Sequence, residues 1–248
     1  MFLFSLALGS AAKPSPAVAL WQKVTLDTPM SADLTPEAIK AMRRSYGDAG
    51  LHETEFGTDP IAGFKKWLAD AAANPVVVEA NAMVLSTADG DQPSSRTVLL
   101  KDVSAEGFSF FTNYNSHKGY ELSSNPHVSL LFPWYPLERQ VIVKGHATKV
   151  SRKESDEYFA TRPWSSRIGA WSSEQSSDLE SREVLEERYA QLALKYPEGS
   201  QVPTPPHWGG FIVAPVTIEF WQGRYSRLHD RIIFTHSDNG WSLRRLNP

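Results

Sequence analysis

The feature that most constrains this chain is a change of hydrophobic period at Ala82. Before it, apolar residues recur at helical spacing; after it they alternate in short runs separated by turn residues. Residues 82–88 read as a strand, Asp89-Gly90 as a hairpin turn and residues 94–102 as its partner. Glu106-Gly107 turns the chain into a third strand, residues 108–112. A loop and short helix ending at Asn125-Pro126 lead to strands 128–135 and 140–150, with Pro136 in the turn between them. Strands 208–214, 216–221, 231–235 and 241–246 complete the set, the last two joined by Asp238-Asn239-Gly240. Strands arriving in successive hairpins imply an antiparallel barrel or sandwich, mainly β with peripheral α-helices.

The helices announce themselves by their ends. Thr35-Pro36-Glu37 combines a cap, a proline at the first position and an acid near the positive end, predicting a helix to about Tyr46. Asp59-Pro60 opens another, with Ile61, Phe64, Trp67, Leu68 and Ala71 as its apolar stripe. Ser151 and Glu154 form a capping box for a helix to about Thr161, ended by Arg162-Pro163. A short helix over residues 165–172 and an amphipathic one over residues 183–196, with Leu185, Tyr189, Leu192 and Tyr196 on one side, precede a linker carrying Pro197, Pro203, Pro205 and Pro206.

Composition narrows the classes of function. The net charge of −3 gives no footing for nucleic acid. There is no cysteine, which excludes disulfides, thiolate catalysis and zinc–cysteine sites, and no metal is expected. No apolar run reaches the roughly 18 residues of a membrane span. Residues 2–12 are apolar and end in small residues, but they lack a positive leader, and the first arginine is Arg43. Residues 1–34 therefore read either as a flexible extension, with Met30 as an alternative start, or as a targeting segment. Residues 35–248 are expected to form one domain, in a cytoplasmic protein.

Several polar constellations could carry chemistry. In the stretch IEFWQGRYSRLHDRI, residues 218–232, Gly223 breaks a strand. If the chain then resumes as a strand, Arg227, His229 and Arg231 share one face. That face is either a solvated edge or a surface for an anionic, planar ligand, recognised by the flat guanidinium fork and by a histidine proton that moves near neutral pH. Arg96 and Lys101 are five residues apart and point to opposite faces of a regular strand. The stretch FTNYNSHKG, residues 111–119, leads a strand through a polar loop into a helix N-terminus, either a phosphate site or an ordinary capped loop. Tyr158 and Arg162 are four apart on a helix, either a surface stack or two donors converging on one ligand.

The segment FWQGRYSRLHDR resembles the C-terminal signature of the pyridoxine/pyridoxamine 5′-phosphate oxidases, and the resemblance extends from about Met42 to Pro248. It implies an FMN-binding split β-barrel and a homodimer. It also implies oxidation of pyridoxine or pyridoxamine 5′-phosphate to pyridoxal 5′-phosphate. In the family a hydride passes from substrate C4′ to flavin N5. O2 reoxidises the flavin, yielding H2O2, and the amine substrate releases ammonia. Flavin contacts are implied for Arg96, Thr97, Val98, Leu99, Phe111, Thr112, His117, Lys118, Gln140, Gln175, Ser176, Trp221 and Arg231, with Gln175-Ser176 reaching over from the other subunit. Many members carry Arg where this chain has His117. The resemblance gives Lys101, Tyr158, Arg162 and Ser166 to the substrate phosphate. It gives Arg227, Leu228 and His229 to substrate binding, with Arg227 and His229 at the reacting ring. Two other readings stand beside it: an oxidase of the same fold acting on another ring, and a non-catalytic flavin- or pyridoxal-phosphate-binding protein.

Overall fold

The computed structural model of the protein describes residues 35–42 and 44–248. The expected extension over residues 1–34, including Met30, lies outside them, as does Arg43. The chain separates into two units, residues 1–44 and 45–248. In the first, α1 (Pro36–Ala41) is capped by Thr35, whose Oγ1 accepts from the Ala38 N–H at 3.1 Å. It stops at Ala41, short of the expected Tyr46. Met42 leaves helical geometry at ψ 88°, and no residue of the helix is buried to hold a further turn.

The second unit is built on a nine-stranded antiparallel sheet. Its strands are β1 (Ala82–Asp89), β2 (Gln92–Leu99), β3 (Asp102–Val103), β4 (Phe108–Asn113), β5 (His127–Trp134), β6 (Arg139–Lys149), β7 (Trp208–Gln222), β8 (Asp230–Ser237) and β9 (Gly240–Leu246). They lie in the order β2-β1-β5-β6-β7-β4-β3, with β8 and β9 branching from β7. The two ends of that order, β2 and β3, are joined directly through Leu100-Lys101. The sheet thus curls back on itself as a barrel split along this seam. Alternation places Met83 and Leu85 of β1, Leu130 and Phe132 of β5, and Val141 and Val143 of β6 in the interior.

One helix closes that interior. Helix α2 (Pro60–Ala73) starts where Asp59 caps it, Oδ1 accepting from Ile61 N–H at 2.9 Å. Its expected stripe is buried at Ile61, Phe64, Trp67 and Ala71, while Leu68 packs at the margin. Phe64 meets the Phe132 and Phe108 rings at 4.8 and 4.9 Å, and Trp67 meets Phe220 at 5.2 Å. Each such side chain contributes about 1.5–3 kcal/mol by leaving water.

Two strand expectations need correction. The strand expected over residues 94–102 is interrupted: β2 ends at Leu99, Leu100 N–H bonds back to Asn81, and Lys101 N–H bonds to Ser109 of β4. The chain changes partners there, crossing the seam. Conversely, the two strands expected on either side of Pro215 are one continuous strand, β7. Residues 208–213 pair with β4 and residues 217–222 with β8, so Pro215 falls in the gap between those partners. On its other side Pro215 pairs with Gly145 of β6, and the register shifts there because Val216 bulges out of β7, so the missing proline N–H falls at an irregularity of the ladder.

The remaining helices, α3 (His117–Ser124), α4 (Arg152–Thr161), α5 (Trp164–Ser172) and α6 (Arg182–Lys195), lie outside the barrel. The capping box of α4 is formed, Ser151 Oγ accepting from Glu154 N–H and Glu154 Oε2 from Ser151 N–H. Phe159, Ile168, Val202 and Trp208 make a second apolar cluster, onto which α6 lays Tyr189 and Leu192. Arg152 ties the proline-rich linker down by donating to the Thr204 and Pro205 carbonyls.

Candidate active site

The change of partners at the seam creates the main cleft. Arg96 to Leu99 of β2, Lys101 beyond the break, Phe111 and Thr112 of β4, Lys118 of α3, and Tyr158, Arg162 and Ser166 of α4–α5 line one cavity of about 810 Å³. Arg96 and Lys101, expected on opposite faces, share it because the strand does not continue between them. Gln175 of the same chain lines it too.

At one wall sits a buried ammonium. Lys118 is only 7 % exposed, and its Nζ donates to Thr112 Oγ1 (3.2 Å), Ser116 Oγ (3.2 Å) and Gln175 Oε1 (3.1 Å), all neutral. Burial, then repulsion from Arg96, lowers its pKa to about 8 against the opposing pull of Glu121. The loop that delivers it needs a glycine next: a Cβ at Gly119 would lie 2.1 Å from the Tyr114 carbonyl oxygen.

Beside it Arg96 is held by a carboxylate. Its Nη2 donates to Glu121 Oε2 at 2.9 Å and to Ser94 Oγ at 2.5 Å, and its Nη1 to Thr87 Oγ1. Thr87 and Ser94 also donate to Glu121. Burial works against the Glu121 charge, but these hydrogen bonds and Arg96 keep its carboxyl below the usual range. Glu121 was not a candidate from sequence; nothing in a single glutamate on a short helix shows that it faces a β-strand arginine.

The opposite wall is aromatic and cationic. Phe111 stacks on Tyr158 at 4.0 Å and on Trp208 at 5.4 Å. The Arg162 guanidinium lies 4.8 Å over the Trp208 ring, and its buried Nη1 has no hydrogen-bond partner among the described residues. Burial pulls the Arg162 pKa down. An unpartnered buried guanidinium nitrogen is costly unless a ligand accepts from it. Together with the Lys118 ammonium it makes a cleft suited to anionic groups, and FMN, with its phosphate and flat ring, fits that donor set. Trp208 is a second residue that sequence reasoning passed over, although it opens an expected strand.

The other expected residues lie off this cleft. Gln140 on β6, Trp221 on β7 and Arg231 on β8 are successive cross-strand partners, one lateral row across the sheet. The Arg227–Arg231 face expected from alternation does not exist. Tyr225–Arg227 is a 3-10 turn with Ser226 and Arg227 at positive φ, 55° and 62°, and β8 begins only at Asp230. Leu228 is exposed and His229 half-buried, both beside the C-terminal residues 245–248. His117 is largely exposed; its Nε2 lies 3.7 Å from Glu121 Oε1, and with Ser176 it lines a neighbouring polar recess.

The family profile "Pyridoxamine 5′-phosphate oxidase" matches residues 69–196, and "Pyridoxine 5′-phosphate oxidase C-terminal dimerisation region" matches residues 208–248. A pyridoxine/pyridoxamine 5′-phosphate oxidase of Streptomyces avermitilis is 54% identical over 213 residues, 84% of this chain and 95% of that protein. Its counterpart in Nostoc punctiforme is 52% identical over 214 residues, 86% and 99% of the two chains. Among solved structures, PhzG from Burkholderia lata 383, in complex with tetrahydrophenazine-1-carboxylic acid, superposes with a TM-score of 0.75 at 30% identity, covering 82% of this chain and 100% of that one. A pyridoxamine 5′-phosphate oxidase-related, FMN binding protein from Nostoc punctiforme shares the fold at a TM-score of 0.62 and 16% identity, covering 76% of this chain and 98% of that one. Among the described residues no helix is long and apolar enough to cross a membrane.

Proposed function

This chain belongs to the pyridoxamine 5′-phosphate oxidase family, and from that premise we propose that it oxidises pyridoxine or pyridoxamine 5′-phosphate to pyridoxal 5′-phosphate, using FMN, with O2 as electron acceptor and H2O2 as product. The observation that carries the reading is the buried Arg162 nitrogen that finds no acceptor in a cleft it shares with Lys101, Tyr158 and Ser166. Those four side chains are donors for a phosphate monoester, and charge-assisted bonds of that kind are the strong ones. Lys118 and Arg96, with the Thr112 hydroxyl, are assigned to the cofactor phosphate. Glu121 keeps Arg96 in one orientation for that contact. Bound FMN would supply the two-electron oxidation itself. The protein's part is to hold the ring of the substrate still. Phe111, Tyr158 and Trp208 wall the cleft, and Arg227 and His229 are assigned to the substrate ring.

The proposal includes a homodimer. Gln140, Trp221, Arg231 and the Arg227–His229 loop are off the cleft within one chain, and residues 208–248 match a dimerisation region. The two sets would then meet across the interface, each cleft completed by the other copy.

The likeness to PhzG favours one alternative, an oxidase of another ring. Oxygen uptake by the purified protein separates the readings. Turnover of both 5′-phosphates with little or none of unphosphorylated pyridoxine is expected. Oxidation of a phosphate-free phenazine-type ring in preference to either would overturn the proposal. Independently of turnover, the ligand-free protein should quench FMN fluorescence on mixing, and an unchanged signal would remove the cofactor assignment.

A further inference from the structure

The histidine in the turn before β8 is held in a way that decides which of its nitrogens carries a proton. The backbone N–H of Arg224 donates to His229 Nδ1 at 3.0 Å. A nitrogen that accepts a hydrogen bond has no proton of its own, so a neutral ring must carry its proton on Nε2. An imidazolium would set N–H against N–H at Nδ1 and leave the Arg224 amide without its acceptor. We propose that His229 works as a neutral imidazole in one fixed tautomer, offering Nε2–H as a hydrogen-bond donor to an acceptor atom on the substrate ring. This inference rests on the assignment of His229 to the substrate ring made above.

The surroundings favour the same state. Tyr46 meets the imidazole edge-on at 5.4 Å, and Trp221 lies tilted against it at 4.7 Å, so two aromatic rings fix its plane. The charged neighbours are Arg227 in the same turn, Arg224, Asp230 and Arg245. Asp230 is the one carboxylate among them, and it is already committed. It accepts from the Leu51 N–H (3.0 Å), from Arg224 Nη1 (3.3 Å) and from Arg245 Nη1. No free side-chain carboxylate of this group is left to balance a charged imidazole. Burial, then repulsion from Arg227, holds the His229 pKa below the ordinary histidine value. A neutral donor keeps its hydrogen bond unchanged across neutral pH, whereas the proton expected from sequence to move there would come and go.

The test uses the FMN-loaded enzyme labelled with 15N-histidine, the His229 signals being identified by their loss in His229→Gln. Long-range 1H–15N spectra between pH 7 and 8 should show an unprotonated Nδ1, a protonated Nε2 and no titration. A protonated Nδ1, or a ring that titrates within that range, would overturn the inference whatever the enzyme oxidises. A second arm compares flavin reduction by saturating pyridoxine 5′-phosphate in two variants. His229→Gln can place an N–H where Nε2–H stood, and His229→Asn can place one only nearer the Nδ1 position. Loss of a donor to a charged or strongly polar acceptor is worth about 10- to 100-fold. The Asn variant should be slower than the Gln variant by about that factor, and equal rates would overturn the donor role. Failure of every B6 phosphate to reduce the flavin, with the tautomer as stated, would instead strike the proposed function.

Discussion

Lys118 is asked to remain charged where charge is disfavoured, and removing that charge should have two opposite effects. Its pKa falls from 10.5 to about 8 in the ligand-free fold. At about 1.4 kcal/mol for each tenfold change in proton affinity, holding the ammonium there costs roughly 3 kcal/mol. Because the folded value is depressed, the penalty is fully present below pH 8, where folded and unfolded chains both carry the proton. It shrinks as pH rises from about 8 towards 10.5, where the folded chain has lost the proton and the unfolded chain has not. Lys118→Met should therefore stabilise the ligand-free protein at pH 7 by up to roughly 3 kcal/mol, less whatever its three lost hydrogen bonds contributed. A cofactor phosphate reverses the balance by favouring the charged form, so FMN binding above pH 8 should draw in a proton. FMN affinity, read by quenching of flavin fluorescence, should fall between pH 8 and 10 by up to about two orders of magnitude. Lys118→Arg, whose charge is fixed, should show a much flatter profile. Parallel profiles for the wild type and Lys118→Arg would refute the reasoning, as would a Lys118→Met protein that binds FMN as tightly as the wild type.

Other outcomes follow from the same geometry. Arg162→Ala should raise KM for pyridoxine 5′-phosphate by about 10- to 100-fold while FMN stays bound; unchanged steady-state kinetics would remove the phosphate assignment. Phe64→Ala, emptying the space between Phe108 and Phe132, should cost about 3–5 kcal/mol in urea unfolding, and a loss below about 1 kcal/mol would mean that α2 does not plug the barrel. His117→Arg should leave the pH dependence of FMN affinity unchanged, because the His117 side chain faces Glu121 and solvent and does not line the main cleft; a flattened profile would bring it back to the cofactor phosphate. Gly119→Ala should weaken FMN binding by displacing the loop that delivers Lys118, and titration with unaltered affinity would contradict that.

The strands and most helices were legible because their signals are local. Alternation in β1, β5 and β6, the Asp59-Pro60 start and the Ser151–Glu154 box depend on residues within a few positions of one another. Where the outcome depended on a distant partner, the sequence misled. Pro215 reads as a break, yet the strand passes through it because β4 and β8 leave that point unpaired. Residues 94–102 read as one strand, yet the chain changes partners at the seam. The same limit applies to the candidate site. The resemblance supplied Arg96, Lys118 and Arg162, but Glu121 and Trp208 are visible only once α3 lies against β1, beside the Arg96 side chain, and β7 runs beneath α4. Alternation placed Arg227 with Arg231 on one face because nothing in YSRLHD marks Ser226 and Arg227 for positive φ.

Strand β7 runs without a break from Trp208, which backs Arg162, to Trp221, in the middle of the lateral row. Thirteen residue steps at about 3.3 Å separate those ends by about 40 Å of strand. If each cleft is completed by the other copy, the two halves of a working site are inherited on different chains. Damage in either half should then be rescued by mixing. Arg162→Ala and Trp221→Ala, each impaired alone, should regain activity when unfolded together and refolded, or when produced in one cell. A mixed dimer joins the intact cleft of one copy to the intact row of the other, while its second site collects both lesions. With random pairing, half of the dimers are mixed, so about a quarter of all sites should be whole.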